Sequence, residues 1–325
     1  MTRRIVLLLP GQGSQYQGMA VPLYRREPLF ADVLDTFFSA MGPEGTRVRE
    51  DWLSDSPEVS IDDGPRAQPL LFAIGYAIGK VLEERGLRPA VLLGHSVGEL
   101  AAAALAGVFD LPAAANILRG RSDALVGTPA GGMLAVAAAP ERAAGIITPE
   151  WAARGLAVGA VNAPSQTILA GPEPELTLVE AAAKEAGLVA RRVRARQPFH
   201  SPVLAEAAQK FERTIAAERL HVPRIPVTSA RTARTVEPHE ALDPAFWAYL
   251  MCEPVLFWQS LSGLPAEGRF VFVEAGPGSG LSTVARRHPS VRAGNSEVIT
   301  LLPPAGRDPW PVWEEGLKTL AELNA

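Results

Sequence analysis

The sequence has one cysteine, Cys252, which excludes an internal disulfide and a cysteine-built metal cluster. Positive charge is not in excess: the formal net charge is -4, which gives no electrostatic case for nucleic acid as a partner. No apolar run approaches the roughly 18 residues of a membrane span. The opening MTRRIVLLLPGQG is apolar only from Ile5 to Leu9 before Pro10, too short for a signal peptide's core and suited to a first buried strand. Repeats, low-complexity tracts and long linkers are also missing. A reducing, cytoplasmic setting is expected, with no membrane and no nucleic acid. What remains, 47% apolar and 20% charged residues over 325 positions, is enough chain to bury one large core or two smaller ones.

The most informative stretch is Leu92–Leu100, LLGHSVGEL. A short apolar run from Ala90 reads as a buried parallel strand, and Glu99 onward is a strong helix former. Gly94, Ser96 and Gly98 therefore form G-x-S-x-G on a strand-to-helix turn. Such a turn lifts a serine oxygen clear of the sheet and needs glycines where side chains would collide. The helix beginning after Ser96 points free N–H groups back at the turn, making the Val97 N–H a candidate oxyanion donor. The motif by itself also fits a plain turn serine. Another glycine-rich loop, Pro10-Gly-Gln-Gly-Ser-Gln, follows the first strand, Arg4–Leu9. Its glycines at 11, 13 and 18 have the wrong spacing for a dinucleotide fingerprint.

Strands and helices alternate along the chain, which predicts a mainly parallel sheet covered on both faces. A helix is expected over 68–85, opened by Pro69 and stopped by Gly86, and another over 111–126. Residues 131–196 have their own rhythm: strand 133–138, helix 140–154 broken near Pro149, strands 156–161 and 167–170, helix 173–186, strand 188–193. That order, β-α-β-β-α-β, is the split ferredoxin-like unit. The fold expected is α/β, with a large domain over 1–129 and 198–325 and a small inserted subdomain over 130–197. In the large domain, Phe270–Glu274 is a further buried strand and 310–323 a closing helix.

An activated serine needs a base. Of the five histidines, His221 and His239 lie in polar, proline-rich stretches, and His288 sits at a helix end. His95 adjoins Ser96 on the same turn, so its side chain should point away and serve structure. His200, in Gln197-Pro-Phe-His-Ser-Pro, falls where the small unit returns to the large one, and a seam between domains is a common place for a site. No aspartate occurs between Asp123 and His200, so a hydrolase triad in the order Ser, Asp, His fits poorly. A Ser–His dyad oriented by a backbone carbonyl fits better. Arg121, on the helix after the Ser96 helix, has the chemistry to grip a carboxylate with two parallel bonds. It equally fits an exposed arginine near a helix end, with Arg119 as its rival.

Taken together, Pro10-Gly-Gln-Gly-Ser-Gln, Gly94-His-Ser-Val-Gly-Glu, Arg121, Asn162-Ala-Pro-Ser-Gln, Phe199-His-Ser, Glu253-Pro-Val and Glu274-Ala-Gly-Pro-Gly resemble malonyl-CoA:acyl carrier protein transacylases. They also resemble the acyltransferase domains of polyketide synthases, in the same order, over about residues 5–285. The resemblance implies an α/β-hydrolase-like large domain with a ferredoxin-like insert. It implies Ser96 as the acylated nucleophile, His200 as base, and the backbone amides of Gln12 and Val97 as oxyanion donors. It further implies Arg121 as carboxylate clamp, Gln68, Asn162 and Phe199 as pocket residues, and the Leu250 carbonyl orienting the histidine.

The activity implied is ping-pong transfer of an acyl group, malonyl first among candidates, from coenzyme A to the phosphopantetheine thiol of an acyl carrier protein. It belongs to fatty acid or polyketide synthesis, uses no metal or resident cofactor, and is expected of a free-standing monomer acting in trans. Arg191, Arg192, Arg194 and Arg196, with Arg286 and Arg287, are candidates for docking an acidic carrier. Val97 and Phe199 match malonyl-using members, whereas Gln197-Pro198 departs from their usual pair. Three alternatives stand beside this reading: transfer of a non-malonyl acyl or aminoacyl group between two carriers, hydrolysis of stalled carrier thioesters, and non-catalytic carrier docking.

Overall fold

The five apolar residues after Arg4 make β1 (Arg4–Leu9) an almost wholly buried strand, the signature of a parallel sheet covered on both faces. The structure, a computed structural model, describes residues 3–324. The strands of the described residues continue with β2 (Val91–Gly94), β3 (Gly131–Val136), β4 (Ala157–Ala163), β5 (Gln166–Pro172) and β6 (Ala190–Arg192). β7 (Val227–Ser229), β8 (Arg234–Thr235), β9 (Phe270–Glu274) and β10 (Glu297–Thr300) complete the set. A six-stranded sheet has the order β10-β9-β1-β2-β7-β8, parallel throughout except for β8 at its edge. In register, Leu9 lies beside Gly94 and Leu8 beside Glu274. The chain therefore leaves β1, β2 and β9 at one edge of the sheet, where α/β folds place their ligands.

The second sheet is antiparallel, ordered β4-β5-β3-β6, which is the ferredoxin-like arrangement read from the sequence. Its strands alternate sides. Leu134, Val136 and Leu169 join Leu176 and Val179 of helix Glu175–Glu185 in a small separate core. Met133 and Ile168 face the other way and join the main core. The outer edge of β4 is covered by the large domain: Val161 N–H donates to the Val255 carbonyl at 2.8 Å and Val255 N–H to the Gly159 carbonyl at 2.9 Å. Backbone pairing with this loop of the large domain thus crosses the seam and blocks a free strand edge.

Several boundaries differ from the sequence reading. The helix expected from 68 starts at Gly64 and carries Pro69 inside it. Residues 140–154 form two short helices, Pro140–Ala144 and Pro149–Ala153. The last strand of the small sheet shrinks to Ala190–Arg192 because only those residues pair with β3. No described helix is long and apolar enough to cross a membrane.

Candidate active site

Ser96 has φ 55°, a left-handed conformation that non-glycine residues rarely hold. The turn forces it there. A Cβ on Gly94 would lie 2.2 Å from Glu99 N, and one on Gly98 would lie 2.1 Å from the Leu9 carbonyl. Only glycines let helix Gly98–Ala106 sit so tightly against β1 and β2. His200, 104 residues away, also has a positive φ, 65°. Its N–H donates to the Met251 carbonyl at 2.8 Å, and its Nε2 lies 2.8 Å from Ser96 Oγ. Two strained residues from distant segments thus meet in one hydrogen bond.

His200 Nδ1 bonds the Glu253 carbonyl at 2.9 Å. The resemblance placed this role on the Leu250 carbonyl, which also acts on the imidazole, after Glu253. Residues Tyr249–Met251 form a 3-10 turn whose Tyr249 carbonyl accepts from Cys252 and Glu253. Glu253 precedes Pro254, a position biased to extended backbone, which leaves its own carbonyl free to reach the imidazole. With Nδ1 as donor, Nε2 carries the lone pair facing Ser96. Burial holds the imidazole down to about 3, the Glu253 bond opposes this, and His95 and Arg121 lower it further. At neutral pH it is an uncharged acceptor.

His95 does not bond Ser96; its Nε2 lies 2.8 Å from Asn162 Oδ1, and its ring packs at 5.6 Å from that of Phe257. Loop 10–15 comes down on the same turn. A Cβ on Gly11 would stand 2.4 Å from the His95 carbonyl, so glycine alone permits that approach. Among the described residues, neither the Gln12 N–H nor the Val97 N–H has a hydrogen-bond partner. Gln17 fastens the far end of the loop by donating to the carbonyls of Asp51, Trp52 and Ser54.

Arg121 is 1% exposed. Its Nε donates to Gln68 Oε1 at 2.7 Å, and its guanidinium lies 5.7 Å from the ring centres of both Phe199 and Phe211. Burial lowers it to about 10, so it remains a cation. No carboxylate pairs with it among the described residues. Arg119 is exposed and bonds Asn116. The packing therefore distinguishes two arginines that the sequence left equivalent.

A cavity of about 550 Å³ opens over Ser96. Gln12, His95, Asn162, Phe199 and His200 line it, with Met133 and Ile168 from the small sheet opposite. Arg121 and Gln68 reach it only through their contacts with Phe199 and Gln12. Of the expected docking cations, Arg191, Arg194, Arg196, Arg286 and Arg287 are exposed, with Arg194 facing Asp62 and Arg196 facing Asp63. Arg192 drops out: its guanidinium is engaged by Glu173, Glu180 and Thr177 within the small unit.

One buried group, the glutamate that ends the Gly94–Glu99 motif, was given no role of its own from the sequence. Glu99 Oε1 accepts from the Ala230 N–H at 3.1 Å and its Oε2 has no partner among the described residues. Burial pushes this carboxyl up to about 8, against the opposing pull of Ser229 and Arg231.

A parallel sheet with an antiparallel insert, and a serine and histidine meeting at their seam, is the layout of an acyltransferase. Residues 6–315 match the acyl transferase domain family, and the chain belongs to that family. It is 34% identical over 286 residues to a phenolphthiocerol/phthiocerol polyketide synthase of Mycobacterium tuberculosis, matching 88% of this chain and 19% of that protein. Against erythronolide synthase EryA2 of Saccharopolyspora erythraea it is 33% identical, over 85% of this chain and 8% of that one. The chain thus spans less than a fifth of the length of these curated relatives.

Among solved structures, the acyltransferase domain from the second module of the salinomycin polyketide synthase superposes with a TM-score of 0.87 at 31% identity, covering 98% of this chain and 73% of that one. A malonyl CoA-acyl carrier protein transacylase from Coxiella burnetii, at 23% identity and a TM-score of 0.85 over 100% of this chain and 99% of its own, shares the fold.

Proposed function

We propose that the chain moves a carboxylated acyl group of the malonyl type from coenzyme A to the phosphopantetheine thiol of an acyl carrier protein, by way of an ester on Ser96. The observation that carries this reading is Arg121: a buried cation behind the Phe199 wall of the cavity, near enough to lower His200, with no counter-charge among the described residues. A buried, unpaired guanidinium is unfavourable by several kcal/mol, about what a ligand carboxylate in a two-pronged bond would offset.

In this reading His200 Nε2 takes the Ser96 proton as Oγ attacks the thioester carbonyl. The Glu253 carbonyl holds the ring in the tautomer that leaves Nε2 free, and it stabilises the imidazolium that forms. The Gln12 and Val97 N–H groups receive the developing oxyanion. The tetrahedral intermediate then collapses, and the imidazolium returns its proton to the leaving thiolate. Transfer to the carrier repeats the steps in reverse with the carrier's thiol as nucleophile. The thioester carriers are substrates, and no step calls on a metal or resident cofactor. Arg191, Arg286 and Arg287 supply positive charge for an acidic carrier, an attraction that salt weakens.

A related acyltransferase domain, that of SpnD, has been solved in complex with 2-(pent-4-yn-1-yl)malonyl, at 29% identity over 100% of this chain and 77% of that one and a TM-score of 0.88. This supports a carboxylated acyl group here. The test is intact-protein mass spectrometry after mixing with malonyl-CoA. A malonyl adduct is expected on the wild type, absent from Ser96→Ala and reduced about 10- to 100-fold in rate in Arg121→Ala. A folded wild-type protein that takes no malonyl would overturn the reading in favour of a carrier-bound, non-malonyl donor. Hydrolysis of the adduct with no transfer to carrier would point instead to a thioesterase.

A further inference from the structure

The segment Gly11–Gln17 has no helix or strand to hold its shape, and its position is set by side chains. Gln15, 9% exposed, donates from Nε2 to Asp62 Oδ1 at 3.0 Å, while its Oε1 accepts the Gly13 N–H at 2.6 Å. Gln12 donates from Nε2 to the Asp62 carbonyl at 3.3 Å. Gln12 Oε1 in turn accepts from Gln68 Nε2 at 3.1 Å, and Gln68 Oε1 accepts from Arg121 at 2.7 Å. Asp62 is the node: it holds Gln12 directly and, through Gln15, holds the N–H of the next residue, Gly13. Its Oδ2 also faces Arg194 Nη1 at 3.7 Å, a largely exposed pair that contributes little.

We propose that Asp62 is a positioning residue for acyl transfer, fixing loop 12–15 so that the Gln12 N–H stays aimed at the oxyanion above Ser96. The inference rests on the oxyanion role assigned to that amide in the preceding subsection. An oxyanion donor acts only when it is in place before charge develops, and a shift of about 1 Å is enough to lose much of its effect. Without the Asp62 carboxylate, the buried Gln15 amide loses its acceptor. It then turns to find another and releases the Gly13 N–H it was holding. The loop keeps its glycine contact with the Ser96 turn but no longer has a single resting position. The effect falls on the rate of ester formation and not on thioester binding, because the ground-state carbonyl does not need the donor as the oxyanion does.

The test measures single-turnover acylation of Ser96 by malonyl-CoA, as rate constant against concentration, with melting temperatures alongside. Asp62→Ala and Gln15→Ala are each expected to slow acylation about 10- to 100-fold, with the half-saturating concentration changed less than about threefold. Asp62→Asn keeps an acceptor for Gln15 and is expected to stay within about threefold of wild type. Because both residues act through one bond, the double alanine variant should be no slower than the slower single one.

Wild-type rates in Asp62→Ala would overturn the proposal, whether or not the melting temperature falls, since Asp62 would then serve stability alone. Should Asp62→Ala not fold, Gln15→Ala carries the same prediction and a wild-type rate there overturns it. Multiplying losses in the double variant would also sink it. A wild-type enzyme that forms no ester on Ser96 at all is a different failure, that of the site reading itself.

Discussion

The two walls of the cleft are built on different principles. On the large-domain side the backbone is tightly constrained around the reacting pair: Ser96 and His200 are both held at positive φ, and Gly11, Gly94 and Gly98 sit where a methyl group would strike main-chain atoms. On the small-subdomain side the wall is the face of an antiparallel sheet, presenting Met133 and Ile168, with Asn162 as its polar contact to His95. One wall tolerates no change of shape because reacting atoms depend on it. The other excludes water and sets the size of the space, a role that side chains of similar volume can share. On the reading proposed above, chemistry and selectivity fall to separate pieces of the chain.

The sharpest way to break this contrast lies on the rigid wall. His200→Ala should lower Ser96 acylation by about 10³- to 10⁴-fold, read by single-turnover mass spectrometry. Since His200 is held down to about 3, wild-type acylation should stay nearly flat from pH 8 to about 5; an ordinary imidazole would begin to lose activity near 6.5. A halving of the rate near pH 6.5 would refute that protonation state.

Gly11→Ala comes next. Its methyl group must displace the loop from the His95 carbonyl, and acylation should fall about 10²-fold while the circular dichroism spectrum is retained.

Glu99→Gln then separates stability from chemistry. The folded carboxyl is raised to about 8 and faces Arg231 and the backbone of Ala230. Between about pH 4.5 and 8 the folded state therefore holds a proton that the unfolded chain has released. Stability is undiminished below about 4.5 and declines as pH rises toward 8. The glutamine variant does not titrate, so its stability relative to wild type should climb with pH, by about 4 kcal/mol between pH 4.5 and 8 in denaturant melts. A constant offset across that range would show that Glu99 is already ionised in the fold.

The smallest effect belongs to the small sheet. Met133→Ala should change the half-saturating thioester concentration only a few-fold and leave the acylation rate constant within about twofold. A larger loss in rate would erase the distinction between the walls.

The rigid wall was also the more legible one in the sequence, because tight backbone geometry selects residue types locally. Gly94 and Gly98 around Ser96, and the apolar runs of β1 and β9 bounded by Pro10 and by Gly276, announce themselves by spacing alone. What was not legible depends on packing between distant segments. Nothing near Arg119 or Arg121 says which is buried; Phe199 and Phe211 decide it from far along the chain. The resemblance implied the Leu250 carbonyl, which acts on the imidazole only in second place; the 3-10 turn and the proline bring the Glu253 carbonyl to Nδ1. Arg192 looked like one more free cation because Glu173 and Glu180 reach it only once β6 and helix Glu175–Glu185 are packed. β8, two residues long, has no periodicity to detect.

The strand order has a consequence for the timing of synthesis. β1, which leads into the oxyanion loop, is flanked by β2 and by β9, and β9 follows β8 in chain order, long after β1 and β2. A chain still emerging from the ribosome can carry Ser96 and Gln12 long before it carries His200, Glu253 or the strand that closes the sheet around β1. During that interval the serine lacks the histidine that bonds it in the finished fold. On the reading proposed above, Ser96 would gain its base only when the later segments dock, and an ester on Ser96 would mark a chain whose sheet had already closed.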